Sequence, residues 1–121
     1  MKKLIHSAED IFGMANLNPR KSGLSVIIWS DHSGVSRKVE HNSPRIKIGK
    51  NDDWVVVTIE SEPKILQKSS NIKKSDMEDI EEGIDYVSRN YDLFLKHFMD
   101  TDFSFDDEAL FDALRERGEY R

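Results

Sequence analysis

The chain has 121 residues, a formal net charge of −5 and no cysteine. This length is typical of one domain with a core of its own, and the lack of cysteine excludes disulfides, thiolate catalysis and zinc–thiolate sites. No apolar run approaches the roughly 20 residues of a membrane span. The sequence therefore predicts a single cytoplasmic domain over residues 1–121 that does not enter a membrane.

The charge is distributed unevenly along the chain. Residues 1–50 hold nine Lys or Arg against four Asp or Glu, whereas residues 51–121 hold nine against nineteen. Such a split predicts a polarised surface if the two halves occupy different faces in space. The alternative, in which the halves interleave and neutralise each other, stays open at this point.

The first part of the chain predicts a short helix followed by a strand. Ser7 suits the N-cap of a helix within residues 1–17. The sequence Asn-Pro-Arg-Lys-Ser-Gly at residues 18–23 indicates a turn. Residues 24–30 are apolar almost without alternation, which favours a strand covered on both faces.

The middle of the chain predicts a small antiparallel sheet. Residues 35–43 are polar and indicate a loop. Residues 45–49 alternate basic and apolar side chains, as in a half-buried strand. Residues 50–53 indicate a hairpin loop, and residues 54–60 are rich in β-branched side chains, as in a third strand. Pro63 either ends this strand or begins a short edge segment through residues 65–66.

The clearest element is a long amphipathic helix over residues 76–98. Ser75 and Glu78 match a capping box at its start. Its apolar side chains recur at steps of three and four and form one stripe, made of Met77, Ile80, Ile84, Val87, Tyr91, Phe94 and Phe98. We expect this stripe to pack across the sheet, and a homodimer seam is the alternative.

A final helix is predicted from residue 105 or 106 to residue 117, with Ser104 as its cap and Gly118 just past its end. The fold class is therefore α+β: a small antiparallel sheet of three to four strands packed against a long amphipathic helix, with short N- and C-terminal helices.

No catalytic or metal-binding motif emerges from the sequence, which predicts neither an enzyme nor a cofactor. The acidic loop over residues 100–108 resembles a calcium loop at its first positions. It has Phe105 where the sharp turn needs glycine and Phe111 where the bidentate ligand needs glutamate. His32 and His41 bracket the polar loop, and a small hydrolase built around them is a distant alternative.

Two charged groups remain as candidate binding residues. The basic group would contact nucleic acid, with Trp29 or Trp54 as a stacking platform, and consists of Arg20, Lys21, Arg37, Lys38, Arg45 and Lys47. The acidic group would meet a protein with a basic surface, and consists of Asp102, Asp106, Asp107 and Glu108.

The protein-binding hypothesis ranks first because it requires no missing motif, whereas the acidic balance of the whole chain opposes nucleic acid. The sequence thus predicts a non-catalytic protein-binding or regulatory protein of the antitoxin, immunity or anti-defence inhibitor type. Nucleic-acid binding by the basic half is the alternative.

Two resemblances point to a bacterial origin. The segments Ala-Asn-Leu-Asn-Pro-Arg-Lys-Ser-Gly-Leu at residues 15–24, Val-Ile-Ile-Trp at 26–29 and Ser-Pro-Arg-Ile-Lys-Ile at 43–48 resemble small bacterial proteins of unknown function. The order of strand, polar connection and long helix ending in Phe-Leu-Lys-His-Phe at residues 94–98 is similar to a second family, whose members are often encoded in toxin–antitoxin pairs. The resemblances imply an accessory protein of bacteria or mobile elements.

Overall fold

The computed structural model describes residues 14–31 and 44–121. Within them lie five strands and four helices: β1 (Met14–Leu17), α1 (Pro19–Ser22), β2 (Ile27–Asp31), β3 (Arg45–Lys50), β4 (Asp53–Thr58), β5 (Ile65–Lys68), α2 (Lys74–Arg89), α3 (Tyr91–Met99) and α4 (Asp107–Glu116). The strands form one antiparallel sheet in chain order, with β1 and β5 at its edges. The predicted α+β class is confirmed, with five strands instead of three to four.

The N-terminal prediction is only partly open to comparison. Residues 1–13 lie outside the described part of the chain, but Met14–Leu17, the end of the predicted helix, form strand β1. The predicted turn that follows contains one helical turn, α1. Asn18 caps it by accepting a hydrogen bond from the Arg20 amide at 2.8 Å, and Gly23 ends it at φ +83°.

The long helices lie on one side of the sheet. α2 packs on β3 and β4, α3 packs on β2, and α4 packs on α3. β2 and β4 therefore alternate between buried residues on the helical side and half-buried residues on the other side, whereas the edge strand β5 is exposed throughout. The prediction that residues 24–30 are covered on both faces is wrong, because Ile27 and Trp29 are only half-buried.

The core lies between the sheet and the helices. It includes Ile28, Ile48 and Val55 from the sheet and Ile80 and Phe94 from the helices, all without exposed surface. The predicted apolar stripe therefore does face the sheet over most of its length.

Gly83 lets α2 lie close to the sheet. A methyl group added at its Cα would come within 2.8 Å of Ile48 Cγ2 and 2.9 Å of Val26 Cγ2. These distances are shorter than ordinary carbon–carbon contacts, so the missing side chain sets the spacing between helix and sheet.

The predicted helix over residues 76–98 is two helices that meet at Asn90. This residue leaves the helical region at φ −120°, and its side-chain amide donates to the Tyr86 carbonyl at 3.0 Å. A side chain that bonds to the preceding turn competes with the helical ladder, which explains the break. As a result Tyr91 turns outward and is 39% exposed, while Tyr86 is buried.

The predicted capping box at Ser75 does not form, because α2 begins at Lys74 and places Ser75 inside its first turn. Instead, the Lys73 amide donates to Asp53 Oδ2 at 3.1 Å, which ties the start of α2 to β4.

The chain end fastens α1 to α2. The Tyr86 hydroxyl donates to the Glu119 carbonyl at 2.6 Å, and the Arg121 amide donates to the Lys21 carbonyl at 2.9 Å. Gly118, at φ +76°, follows α4 as predicted, whereas Asp106 and not Ser104 caps that helix. Among the described residues, no helix has the length and apolar character needed to cross a bilayer.

Candidate functional site: the tryptophan face of the sheet

The side of the sheet away from the helices carries a group of aromatic, aliphatic and basic side chains. We call it the tryptophan face and define it by Ile27 and Trp29 of β2, Arg45 and Lys47 of β3, and Trp54 and Val56 of β4. These residues share one side because side chains of a strand alternate. Both tryptophans of the chain lie on this face.

Lys47 lies between the two tryptophans. Its ammonium nitrogen is 5.2 Å from the centroid of Trp29 and 5.1 Å from that of Trp54. Both distances are within the range of cation–π attraction, which is strongest for tryptophan. The register makes this arrangement, since Lys47 pairs with Trp29 on one side and with Val56 on the other.

Gly49 makes room for the Trp29 ring. A methyl group at Gly49 would lie 3.0 Å from Trp29 Cζ3 and 3.3 Å from Trp54 Cβ. The indole of Trp29 therefore reaches across β3 toward the Trp54 strand, over a position that carries no side chain. This contact also explains why Gly49 is buried on a face that is otherwise half-exposed.

One shallow depression, of about 150 Å³, adjoins Trp29 and is also lined by Asp31, Arg45, Lys47 and Val56. A second, of about 250 Å³, is lined by Asn16 and Ile27 together with residues 17–19. The face thus offers ring surface with concave space beside it, which flat solvated sheet surfaces lack.

The helical side of the protein has the opposite charge. On α2 the outward residues Glu78, Glu81, Glu82 and Asp85 are exposed. Glu78 and Glu82, like Glu81 and Asp85, are four residues apart, a like-charge spacing that disfavours the helix slightly. The outward carboxylates of α2 therefore lie on one side, whereas the other side carries Lys47 and Arg45 with the two tryptophans and one carboxylate, Asp31.

The structure brings together only part of the predicted basic group. Arg45 and Lys47 share the tryptophan face. Arg20 and Lys21 lie on α1, which follows β1. The end of β1 pairs with Ile28, next to the residue that pairs with Gly49 of β3. α1 therefore lies toward the Gly49 end of β3 and away from Arg45. Arg37 and Lys38 lie outside the described residues.

The predicted acidic group has mainly local roles. Asp102 accepts from the Ser104 amide at 3.1 Å, and Asp106 accepts from the Ala109 amide at 3.0 Å as the cap of α4. Asp107 lies 2.8 Å from His97. Glu108 is exposed in the first turn of α4, where a carboxylate favours the helix dipole.

A buried serine, a buried histidine and a partly exposed aspartate form a hydrogen-bonded series that the sequence did not reveal. Ser30 Oγ is 2.8 Å from His97 Nδ1, and His97 Nε2 is 2.8 Å from Asp107 Oδ1. These are the residue types of a nucleophilic triad, but Ser30 and His97 have no exposed surface. A substrate cannot reach such a serine unless the core opens. We therefore interpret the two contacts as a structural tie between β2, α3 and α4.

No sequence signal pointed to these hydrogen bonds, because Ser30 and His97 are 67 residues apart. His32 and His41, the basis of the distant hydrolase alternative, lie outside the described residues. Among the described residues, no three His, Asp or Glu side chains are grouped as metal ligands.

Comparison of this chain with protein-family models, with curated proteins and with solved structures found no match. The tryptophan face is therefore the feature of the molecule from which we infer a function.

Proposed function

We propose that this chain is a non-catalytic binding protein, regulatory in role, that holds a partner macromolecule on its tryptophan face. The observation that carries the proposal is the placement of both tryptophans around Lys47 on the side of the sheet away from the helices. Tryptophan is enriched at the energetic centre of interfaces, where it combines large contact area with a rigid shape.

Burial supports a binding role over a catalytic one. The one serine that lies beside a histidine and an aspartate in the described segments is enclosed in the core, whereas the tryptophan face is open to solvent in part. Within residues 14–31 and 44–121, the tryptophan face thus offers a partner apolar area and a cation.

A basic protein partner is the second candidate, for a different surface. It would meet the outward carboxylates of α2, whose like-charge spacing works against the helix and is offset when cations approach. An antitoxin, immunity protein or inhibitor would use such a surface to occupy a cationic site. The two candidates differ in which side of the molecule is covered.

Photo-crosslinking distinguishes the two sides. A photoreactive amino acid at Val56, on the tryptophan face, is compared in the producing cell with the same residue at Glu81, on α2. We expect adducts of defined mass from position 56 and their loss when Lys47→Met is added. Adducts from position 81 alone would refute the proposed face and favour the basic protein partner.

A further inference from the structure

We propose that the tryptophan face binds single-stranded nucleic acid, with bases stacked on Trp29 and Trp54 and a backbone phosphate paired with Lys47. This inference rests on the proposed function, because it names the macromolecule that the same face holds. It also places the nucleic-acid site on β2, β3 and β4, whereas the sequence suggested a basic half of the chain.

The ring geometry favours bases as the occupant. Neighbouring strands lie about 4.8 Å apart, so Trp29 on β2 and Trp54 on β4 stand two strands, or about 10 Å, from each other. Because Gly49 lacks a side chain, the Trp29 indole lies across the intervening strand. Every base has a π-face, and stacking on aromatic side chains tolerates any sequence.

The position of Lys47 favours a sugar–phosphate backbone that runs beside those bases. Lys47 is exposed, and its ammonium is held at both rings by cation–π attraction. A phosphate next to a stacked base would find this ammonium already in place, so little side-chain freedom is lost on binding. Arg45 lies on the same side of β3, where it lines one depression together with Asp31.

The distribution of charge orients such a strand. The outward carboxylates of α2 lie on the opposite side of the molecule and repel phosphate there. A polyanion approaching this chain is therefore directed to the sheet side, even though the net charge of the chain is −5. This layout weakens the objection that the overall acidity raised against nucleic acid, and Asp31 is the carboxylate that a strand would meet on the sheet side.

Unpaired bases are required by this arrangement. A duplex hides its base faces in its own stack, and sequence-tolerant binding by sheet aromatics is a property of single strands. An acidic protein segment would form an ion pair with Lys47 but would not stack on the two indoles. The two macromolecules can therefore be told apart by what they do to the indoles.

Intrinsic fluorescence provides the test, because Trp29 and Trp54 are the only tryptophans in the chain. The full-length protein is titrated with an oligothymidylate of about 12 nucleotides, within the usual range of single-strand site sizes. We expect quenching on stacking, and an affinity that falls with salt by a slope of about 0.7 per phosphate neutralised.

Three variants make the test specific. Trp54→Leu should weaken binding roughly 5- to 100-fold, the range for loss of one stacked base. Lys47→Met should reduce the salt slope by about one phosphate contact. Lys96→Met is the matched control, because the Lys96 ammonium also lies over an aromatic ring, that of Phe105 at 4.6 Å, but on the helical side. It should leave both quantities unchanged.

The outcomes separate this inference from the proposed function. Equal binding of duplex, or equal effects of Lys47→Met and Lys96→Met, would overturn the nucleic-acid assignment. So would a lack of oligonucleotide binding combined with Lys47-dependent protein adducts at Val56, although the binding role of the face would then stand. If neither nucleic acid nor protein is captured at the face, both proposals fail.

Discussion

The buried contact between Ser30 and His97 yields the sharpest prediction of stability. Ser30→Ala removes a hydroxyl whose oxygen is 2.8 Å from His97 Nδ1, at a place where neither side chain is exposed. The loss of one partner in a buried hydrogen bond lowers the free energy of unfolding by about 1–3 kcal/mol, because water does not reach the polar atom that remains. His97→Leu removes the other partner and should cost a similar amount.

The double variant decides between a structural tie and two independent residues. Alanine at Ser30 together with leucine at His97 replaces both polar groups by apolar ones, a change that can be nearly neutral. Asp107 keeps its access to water, since a third of its side chain is exposed. We therefore expect the double variant to lose less stability than the two single variants combined, by about 1–2 kcal/mol.

Urea denaturation followed by circular dichroism measures these differences. With a slope of roughly 1–3 kcal/mol per molar urea, a loss of about 2 kcal/mol lowers the midpoint by around 1 M. Single-variant losses below about 0.5 kcal/mol, or strictly additive losses, would refute the interpretation of this contact as a structural tie. A hydrolytic activity that Ser30→Ala abolishes without loss of stability would refute it more directly.

Three further variants test the packing and the chain end. Gly83→Ala should destabilise the fold by about 1–3 kcal/mol despite the better helix propensity of alanine, because the new methyl group would overlap Ile48. Phe94→Ala should cost about 3–5 kcal/mol, since the ring is fully buried. Arg89→Ala should lower stability at neutral pH by less than about 1 kcal/mol, because it breaks an ion pair with Glu119 that is open to solvent.

The last of these carries a pH signature. The hydrogen bond from Arg89 holds the pKa of Glu119 below its usual 4.5. A carboxyl whose pKa is depressed by folding contributes stability above the unfolded pKa and loses it as the pH falls through the folded value. The difference in unfolding free energy between the wild type and Arg89→Ala should therefore shrink as the pH is lowered below about 4.5. A constant difference across that range would contradict this cause.

Chemical denaturation measures all three, with one control for the core variants. Tyr91→Ala removes an aromatic ring of similar size from an outward position, and it should cost less than about 1 kcal/mol. A larger loss than that of Phe94→Ala would mean that the packing side of α3 is assigned incorrectly. A stabilising Gly83→Ala would show that α2 can move away from the sheet.

The local elements followed largely from the sequence because their signals are local. The alternation along residues 45–49, the hairpin before Trp54 and the glycine after α4 each depend on neighbours in the chain. The break at Asn90 was missed for the opposite reason. The apolar stripe continues across Asn90. The hydrogen bond from the Asn90 side chain to the Tyr86 carbonyl interrupts the helix, but the hydrophobic pattern does not indicate it.

The candidate site was only half visible in the sequence. Trp29, Trp54, Arg45 and Lys47 were recognised as residue types suited to stacking and to phosphate. The alternation along residues 45–49 placed Arg45 and Lys47 on one strand face, but nothing assigned the two tryptophans to it. Their grouping depends on the register of three strands and on the packing of α2 and α3 against the other side of the sheet.

The sequence by itself determined an α+β chain with a basic and an acidic half, because composition and periodicity are properties of neighbouring residues. Tertiary structure alone decided which face of residues 24–30 remained partly open, and that Lys47 would stand between Trp29 and Trp54. It also decided that Ser30 would meet His97 inside the core. The physical reason is that strand register and helix placement bring together residues that are far apart in the chain. The sequence pattern is compatible with several strand pairings, and the free energy of packing selects one of them.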